Sequence, residues 1–313
     1  MKLNKPKFWA DKFNIISIFL FPLSLIVAFI IFIKKTFIKR IKFDTPIICL
    51  GNIYLGGTGK TPASIFLARE LFNIGKNPVI VKKFYTNHKD EHDLIKKNFT
   101  NLILNKNRIQ GIRDAEKANY DCIILDDGLQ DYKIKTNLNI LCFNQNQLIG
   151  NGLILPAGPL RESLNSLKKV QIVLINGNKD HVFEKKILNV NQNIKIFYSN
   201  YKPENLEQFK NKKLLAIAGI GNPENFFRLI EENNLDIKEK LIFPDHHIFS
   251  QIEIKNIKNK VKTKGYQIIT TEKDFFKMKD FNIHQLKYLK ISLEIFEKEK
   301  FIKIIKRVLN EKY

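Results

Sequence analysis

Apolar and polar positions are patterned on three scales along this chain. Short apolar runs at 46–50, 78–82, 101–104, 121–125, 138–143 and 170–175 are separated by stretches with helical periodicity. Unbroken apolar runs are what strands covered on both faces need, so this part predicts a parallel sheet with helices on its faces. A second set follows Lys213: the run Leu214 to Ala218, a helix over Pro223 to Glu232, and strands near 240–243, 266–270 and 288–292. Between the two sets, residues 176–212 are polar and rich in Asn and Lys, which predicts a boundary there, with a core domain at 43–200 and a smaller α/β domain at 201–313. No internal repeat is visible.

The third scale is a single long run. From Phe13 to Ile33 there are 21 residues without a charge; as a helix they would extend about 31 Å, close to the thickness of a bilayer core. Residues 1–42 therefore read as a membrane anchor with basic flanks: Lys2, Lys5, Lys7 and Lys12 before the run, and Lys34, Lys35, Lys39, Arg40 and Lys42 after it. The slight excess of positive charge downstream places that side in the cytoplasm. Pro22 would kink a spanning helix, and no A-x-A-like site marks a cleaved signal. A helix or hairpin lying in the cytoplasmic leaflet satisfies the same pattern, and the two readings stay open.

Charge changes this picture less than its size suggests. The net charge is +22, yet only seven of the 53 basic residues are arginine. Base recognition leans on arginine, whereas these lysines are spread along a chain also rich in Ile and Asn, so no nucleic acid is expected and anionic lipid is the better partner for the excess. Cys49, Cys122 and Cys142 all fall in apolar runs without metal spacing and read as buried free thiols.

The chemistry begins at Gly51-Asn52-Ile53-Tyr54-Leu55-Gly56-Gly57-Thr58-Gly59-Lys60-Thr61-Pro62, between an apolar run and a helix-like segment. Glycines let backbone N–H groups face phosphate oxygens, and the following helix adds the partial charge of its N-terminus. Gly56, Gly57, Thr58, Gly59, Lys60 and Thr61 are thus the candidate nucleotide-binding residues, with Lys60 on the outer phosphates and the Thr61 hydroxyl on Mg²⁺. Position 54, where the usual pattern has glycine, is Tyr54, so the turn is expected at Gly56 and Gly57.

Further along, Asp126-Asp127-Gly128-Leu129-Gln130 ends an apolar run, where a phosphate-loop enzyme holds its Mg²⁺. The segment His88-Lys89-Asp90-Glu91-His92-Asp93 offers carboxylates and imidazoles for proton transfer, or is a solvated charge-rich loop. Asp245-His246-His247 suits a proton relay or a turn that caps the next helix. Residues 150–162, with Arg161-Glu162, frame a substrate or form a rigid linker. Thr271-Glu272-Lys273-Asp274 opens a helix as an N-cap or touches nucleotide.

Seven of these segments, taken in order, resemble the tetraacyldisaccharide 4'-kinase family, the lipid A 4'-kinases. The resemblance rests on Gly51-Asn52 with Gly56 to Pro62, Asp90-Glu91, Asp126 to Gln130, the 150–162 segment, Ala218-Gly219-Ile220-Gly221, Asp245-His246 and Thr271 to Asp274. The family also lacks glycine at the place of Tyr54. What the resemblance implies is a P-loop α/β kinase with a smaller second α/β domain, held on the cytoplasmic face of the bacterial inner membrane by an N-terminal helix. It would transfer the γ-phosphate of ATP to the 4'-hydroxyl of an acylated glucosamine disaccharide 1-phosphate. By position, Asp90 would be the base, supported by His246; Lys60 would neutralise phosphate charge; and Thr61, Glu91, Asp126 and Gln130 would surround Mg²⁺. The chain departs from the family where Lys82-Lys83-Phe84-Tyr85 replaces Ser-Arg-Gly-Tyr, at Asp131 in place of His, and at Lys89 in place of Gly. The alternative is a membrane-associated nucleotide switch or metallochaperone-type NTPase, although Asn178-Lys179-Asp180 sets its Asp one place too early for a guanine-reading motif.

Overall fold

The computed structural model describes residues 6–11, 14–245 and 247–310. After a short 3-10 turn at Lys7–Trp9, the helix α1 (Ile15–Phe37) runs unbroken through Pro22, with the Asn14 side chain capping its first turn. An alternating segment follows: β1 (Ile47–Gly51), α2 (Lys60–Asn73), β2 (Pro78–Lys83), α3 (Lys89–Asn98), β3 (Leu102–Asn105), α4 (Arg108–Lys117) and β4 (Cys122–Asp126). Next come β5 (Leu138–Asn144), β6 (Ile172–Asn176), α5 (His181–Val190) and β7 (Lys195–Pro203). The chain continues through β8 (Leu214–Ala218), α6 (Pro223–Glu232), β9 (Ile237–Ile242), α7 (Gln251–Lys264), β10 (Gln267–Thr271) and α8 (Glu272–Met278). It closes with β11 (Leu286–Leu289), β12 (Ile291–Ile295) and α9 (Lys298–Asn310).

Two sheets result. The larger has the order β12-β7-β6-β5-β1-β4-β2-β3 and is parallel except for the antiparallel pair β12 and β7. Alternate residues of its strands serve opposite faces: Ile48, Leu50, Ile80 and Ile124 pack with α2 and α9, whereas Ile47, Cys49, Val79 and Ile123 pack with α4. The smaller sheet, β11-β10-β8-β9, is fully parallel and lies between α6 on one face and α7 on the other.

The sheets do not divide at residue 201. The stretch 176–212, read from its polarity as a boundary, contains α5 and all of β7, which pairs in parallel with β6. Its partly exposed strand alternates buried and open positions, so composition alone made it look like linker. At the other end, β12 and α9 return to the larger sheet, and Phe301, Ile302 and Ile305 join its core. Burying each such side chain stabilises by roughly 1.5–3 kcal/mol, enough to hold the C-terminal helix there. The smaller sheet is thus an excursion between β7 and β12. The three cysteines are buried and free, and burial holds the Cys49 and Cys142 thiols up at about 12.

Candidate active site

The direction of chain progression reverses around β1, which lies between β4 and β5, and this opens a crevice at the strands' C-terminal ends. The phosphate loop fills it. Gly56 (φ 128°) and Gly59 (φ 87°) make the turn, and Gly59 caps α2 in a conformation that a side chain would strain. Gly57, the other expected turning point, does not adopt a positive φ, and a Cβ there would meet only ordinary contacts; the close approach is made by Gly221. A Cβ on Gly221, in the turn after β8, would lie 2.7 Å from the Gly57 nitrogen. Tyr54 needs no glycine because its backbone bridges to Leu160 and its ring packs in the cluster of Ile53, Phe143 and Leu160. The Asn52 amide donates to the carbonyls of Tyr54 (2.7 Å) and Gly56 (3.1 Å) and holds the loop closed.

Asp126 ends β4 fully buried. Its carboxylate accepts from Thr61 Oγ1 (3.0 Å), Ser64 Oγ (3.1 Å) and Lys82 Nζ (2.5 Å), and Lys82 also pairs with Glu91 at 2.9 Å. Burial works to lower the Lys82 pKa, but Asp126 and Glu91 outweigh it and hold the ammonium above the ordinary lysine range. Asp126 and Glu91, two of the four expected metal-holding residues, therefore share one cation, that of Lys82, and a third, Thr61, joins them through its hydrogen bond to Asp126. Hard oxygen donors around a positive charge fit Mg²⁺, which takes one or two carboxylates and leaves its other positions to phosphate and water. Gln130 lies elsewhere among the described residues. Its amide donates to the Asn52 carbonyl (2.9 Å) and Glu162 (3.1 Å), and its oxygen accepts from Arg161 at 3.4 Å.

Asp127 turns the other way, at φ 58°. Arg161 lies 3.2 Å from its carboxylate and Lys60 3.4 Å, while Arg108 Nη2 donates to its carbonyl at 2.5 Å. Burial pushes this carboxyl up, but Lys60, Arg161, Lys82 and Arg108 prevail and hold it at about 2. Behind Arg161, the buried Glu162 accepts from Tyr132 Oη (2.9 Å) and pairs with Lys35 of α1.

The facing wall comes from α3 and the smaller sheet. Asp90, buried in the first turn of α3, lies 3.3 Å from Lys277 and 3.6 Å from Lys273. Lys273 also reaches Glu91 (3.2 Å) and Asp245 (3.0 Å). Burial works against the Lys273 charge, yet Glu91, Asp245 and Asp90 raise its pKa above the ordinary range. The acidic run 88–93 thus divides: His88 and Glu91 line the cleft, whereas His92 is buried against Phe84 (5.4 Å) with its pKa lowered by burial and by Lys82. His246, expected beside Asp90, lies outside the described residues. Its neighbour His247 braces the capping box of α7 through Glu253 (3.0 Å), as the capping reading anticipates. Thr271 likewise caps α8, and the same short helix sends Lys273 and Lys277 into the site.

The walls enclose a cleft of about 510 Å³ whose lining also includes the apolar Phe226, Leu289 and Leu293. Lys82, Arg108 and Lys277 are among the charged residues that sequence reasoning left out of the site. A charge closing an apolar strand is the one local signal for Lys82; Arg108 and Lys277 sit on helices whose placement only the tertiary fold decides. Among the described residues no three His, Cys, Asp or Glu side chains group as a metal cluster.

The family model described as tetraacyldisaccharide-1-P 4'-kinase matches residues 16–310. The tetraacyldisaccharide 4'-kinase of Pelagibacter ubique is 40% identical over 318 residues, with all of both chains covered. That of Francisella tularensis subsp. novicida is 33% identical over 92% of this chain and 98% of its own. Among solved structures, the Aquifex aeolicus LpxK crystallised with ATP superposes with a TM-score of 0.73 at 23% identity, over 94% of this chain and all of that one. A phosphate loop facing an acidic wall built from α3 and the smaller sheet is thus the site of a chain that belongs to the tetraacyldisaccharide-1-P 4'-kinase family.

Proposed function

We propose that the cleft transfers the γ-phosphoryl group of ATP to the 4'-hydroxyl of a tetraacyldisaccharide 1-phosphate, with Asp90 as base. The observation that carries this reading is the pairing of the two walls: Thr61 and Asp126 joined at 3.0 Å beside the phosphate loop, and buried Asp90 facing them with two lysines within 3.6 Å. A kinase of this type does little covalent work of its own; it positions the acceptor and neutralises charge. Asp90 takes the proton from the attacking hydroxyl, with His246 as its proposed support. Lys60 and the loop N–H groups bind the phosphates. Arg108 and Arg161, locked on Asp127, bring guanidinium groups to the same end of the cleft.

Thr61, Glu91 and Asp126 would hold Mg²⁺, and Gln130 braces the phosphate loop through Asn52 and contacts Arg161. Mg²⁺ bound there would supply charge neutralisation on the phosphate oxygens. Lys82 balances the charges of Asp126 and Glu91. The smaller sheet, proposed as a separate domain, carries Lys273 and Lys277 toward Asp90. The exposed apolar side chains of α1 and the basic residues after it support a place at the inner membrane, with the cleft on the cytoplasmic side.

The test is mass spectrometry of the lipid product. Purified protein given Mg-ATP and the disaccharide 1-phosphate yields the 1,4'-bisphosphate; ADP release with unchanged lipid would overturn the assignment and return the chain to the nucleotide-switch class.

A further inference from the structure

Helix α1 has two unlike faces, and the polar one is tied to a single loop along nearly its whole length. Ser17, Ser24 and Lys35 recur at helical spacing and share one side. Asn151 Nδ2 donates to Ser17 Oγ (3.2 Å). Ser24 Oγ donates to the Ile154 carbonyl (2.8 Å) and accepts from the Ala157 nitrogen (3.0 Å). Lys35 pairs with Glu162. These partners follow one another in chain order, so the 151–162 loop runs beside α1 from Ser17 to Lys35, about 27 Å at the helical rise. The chain ahead of the helix is fastened to the same loop: Trp9 Nε1 donates to the Pro156 carbonyl (3.1 Å), and the Trp9 carbonyl accepts from the Asn151 nitrogen (2.8 Å). On the opposite side Ile15, Phe19, Ile26 and Ile30 are exposed, Phe19 by 79%.

A helix crossing the bilayer in this arrangement would carry the loop with it. Irregular backbone is tolerated in hydrocarbon only where protein or water shields it, and the loop ends in Arg161 and Glu162, which are bonded to Asp127 and Gln130. Both ends of α1 are therefore fixed to the catalytic body.

Resting on the membrane reading above, we propose that α1 does not span the bilayer but lies along one leaflet as an in-plane contact, its exposed apolar face in the acyl layer and both of its ends on the side of the cleft. Charge complements this pose. Lys34, Lys39, Arg40 and Lys42 are exposed at the C-terminal end of α1, and the bridge between Ile41 and Ile134 brings Lys133 and Lys135 beside them, a basic collar at the height of anionic headgroups. In this pose the 151–162 loop lies at the membrane surface, and Arg161 meets a lipid acceptor whose acyl chains stay in the leaflet.

The experiment uses the full chain in membrane vesicles, with one cysteine introduced at either end of the helix, Lys7→Cys or Lys39→Cys. Both lysines are exposed, and the three native cysteines are buried and give little background. A membrane-impermeant maleimide should label both variants in inverted vesicles and neither in right-side-out vesicles. Labelling of Lys7→Cys only from the opposite side to Lys39→Cys would overturn the in-plane pose and leave the anchor intact. Recovery of the protein in the soluble fraction, away from the vesicles, would overturn the membrane reading itself and the pose with it.

Discussion

The two walls of the cleft hold their charges by different means. On the phosphate-loop wall, Lys60 and Thr61 follow one another in the chain, backbone geometry at Gly56 and Gly59 fixes the turn, and the neighbouring strand supplies Asp126 and Asp127. On the acidic wall, Asp90 and Glu91 come from α3, Asp245 from the turn after β9, and Lys273 and Lys277 from α8. The first wall is set within one sheet. The second exists only while α3 of the larger sheet and α8 of the smaller one stay together. The difference teaches that nucleotide binding and proton transfer can be separated in this fold: damage to one wall should leave the other's task measurable.

The largest expected effect comes from the acidic wall. Asp90→Ala should lower kcat by about 10³-fold, the middle of the range for loss of a general base, while ATP affinity stays within about twofold. Near-normal turnover would show that Asp90 is not the base. Equal loss of ATP binding would show that the walls are not independent. On the other wall, Lys60→Met removes a fixed positive charge from the transferring phosphate and should cost about 10²-fold in kcat/KM, with ATP affinity falling and binding of the lipid acceptor preserved. Titration with a fluorescent ATP analogue and with acceptor-loaded micelles separates the two losses.

The same contrast explains how much could be read from the residues alone. The phosphate loop and the strand-end carboxylate were legible because they are local: a strand, a glycine turn and a helix N-terminus are contiguous, and Asp126 closes a visibly apolar run. The helix over Pro223 to Glu232 is matched by α6 at both ends because a proline opens it. The return of β12 and α9 to the larger sheet was not legible, since strand pairing between residues 291–295 and 199–203 is set by sheet twist and core filling and leaves no mark in local pattern. Lys82 was read only as a departure from a family motif; its role as the shared partner of Asp126 and Glu91 depends on a side-chain meeting across β2, β4 and α3. Gln130 shows the converse, a residue well placed in sequence whose hydrogen bonds lead to Asn52, Glu162 and Arg161.

Lys273→Met tests the cross-sheet joint directly. Lys273 serves Asp90, Glu91 and Asp245 together, so its loss leaves three carboxylates with less positive charge between the walls. Turnover should drop about tenfold, equivalent to roughly 1.4 kcal/mol, with a smaller change in thermal stability because Lys277 still holds Asp90. A loss as large as that of Asp90→Ala would mean that the joint, not the base, limits the reaction.

The smallest effect on turnover is expected where the walls touch, and there the prediction, one of stability, is one-sided. A Cβ at Gly221 would meet the Gly57 nitrogen at 2.7 Å, a backbone atom that cannot swing aside, whereas a Cβ at Gly57 would find its nearest neighbour, the Gly221 Cα, at 3.7 Å, an ordinary contact. Gly221→Ala should therefore destabilise by about 1–3 kcal/mol, as overpacking does, lowering Tm by several degrees and loosening the smaller sheet from the phosphate loop. Gly57→Ala should leave Tm within about a degree, so any fall in its ATP affinity would report contact with nucleotide and not between the sheets. If both variants melt alike, the approach is governed by the loop's conformation and not by the space at Gly221. The acidic wall would then be held by its ion pairs alone, and Lys273→Met should show the larger loss of stability.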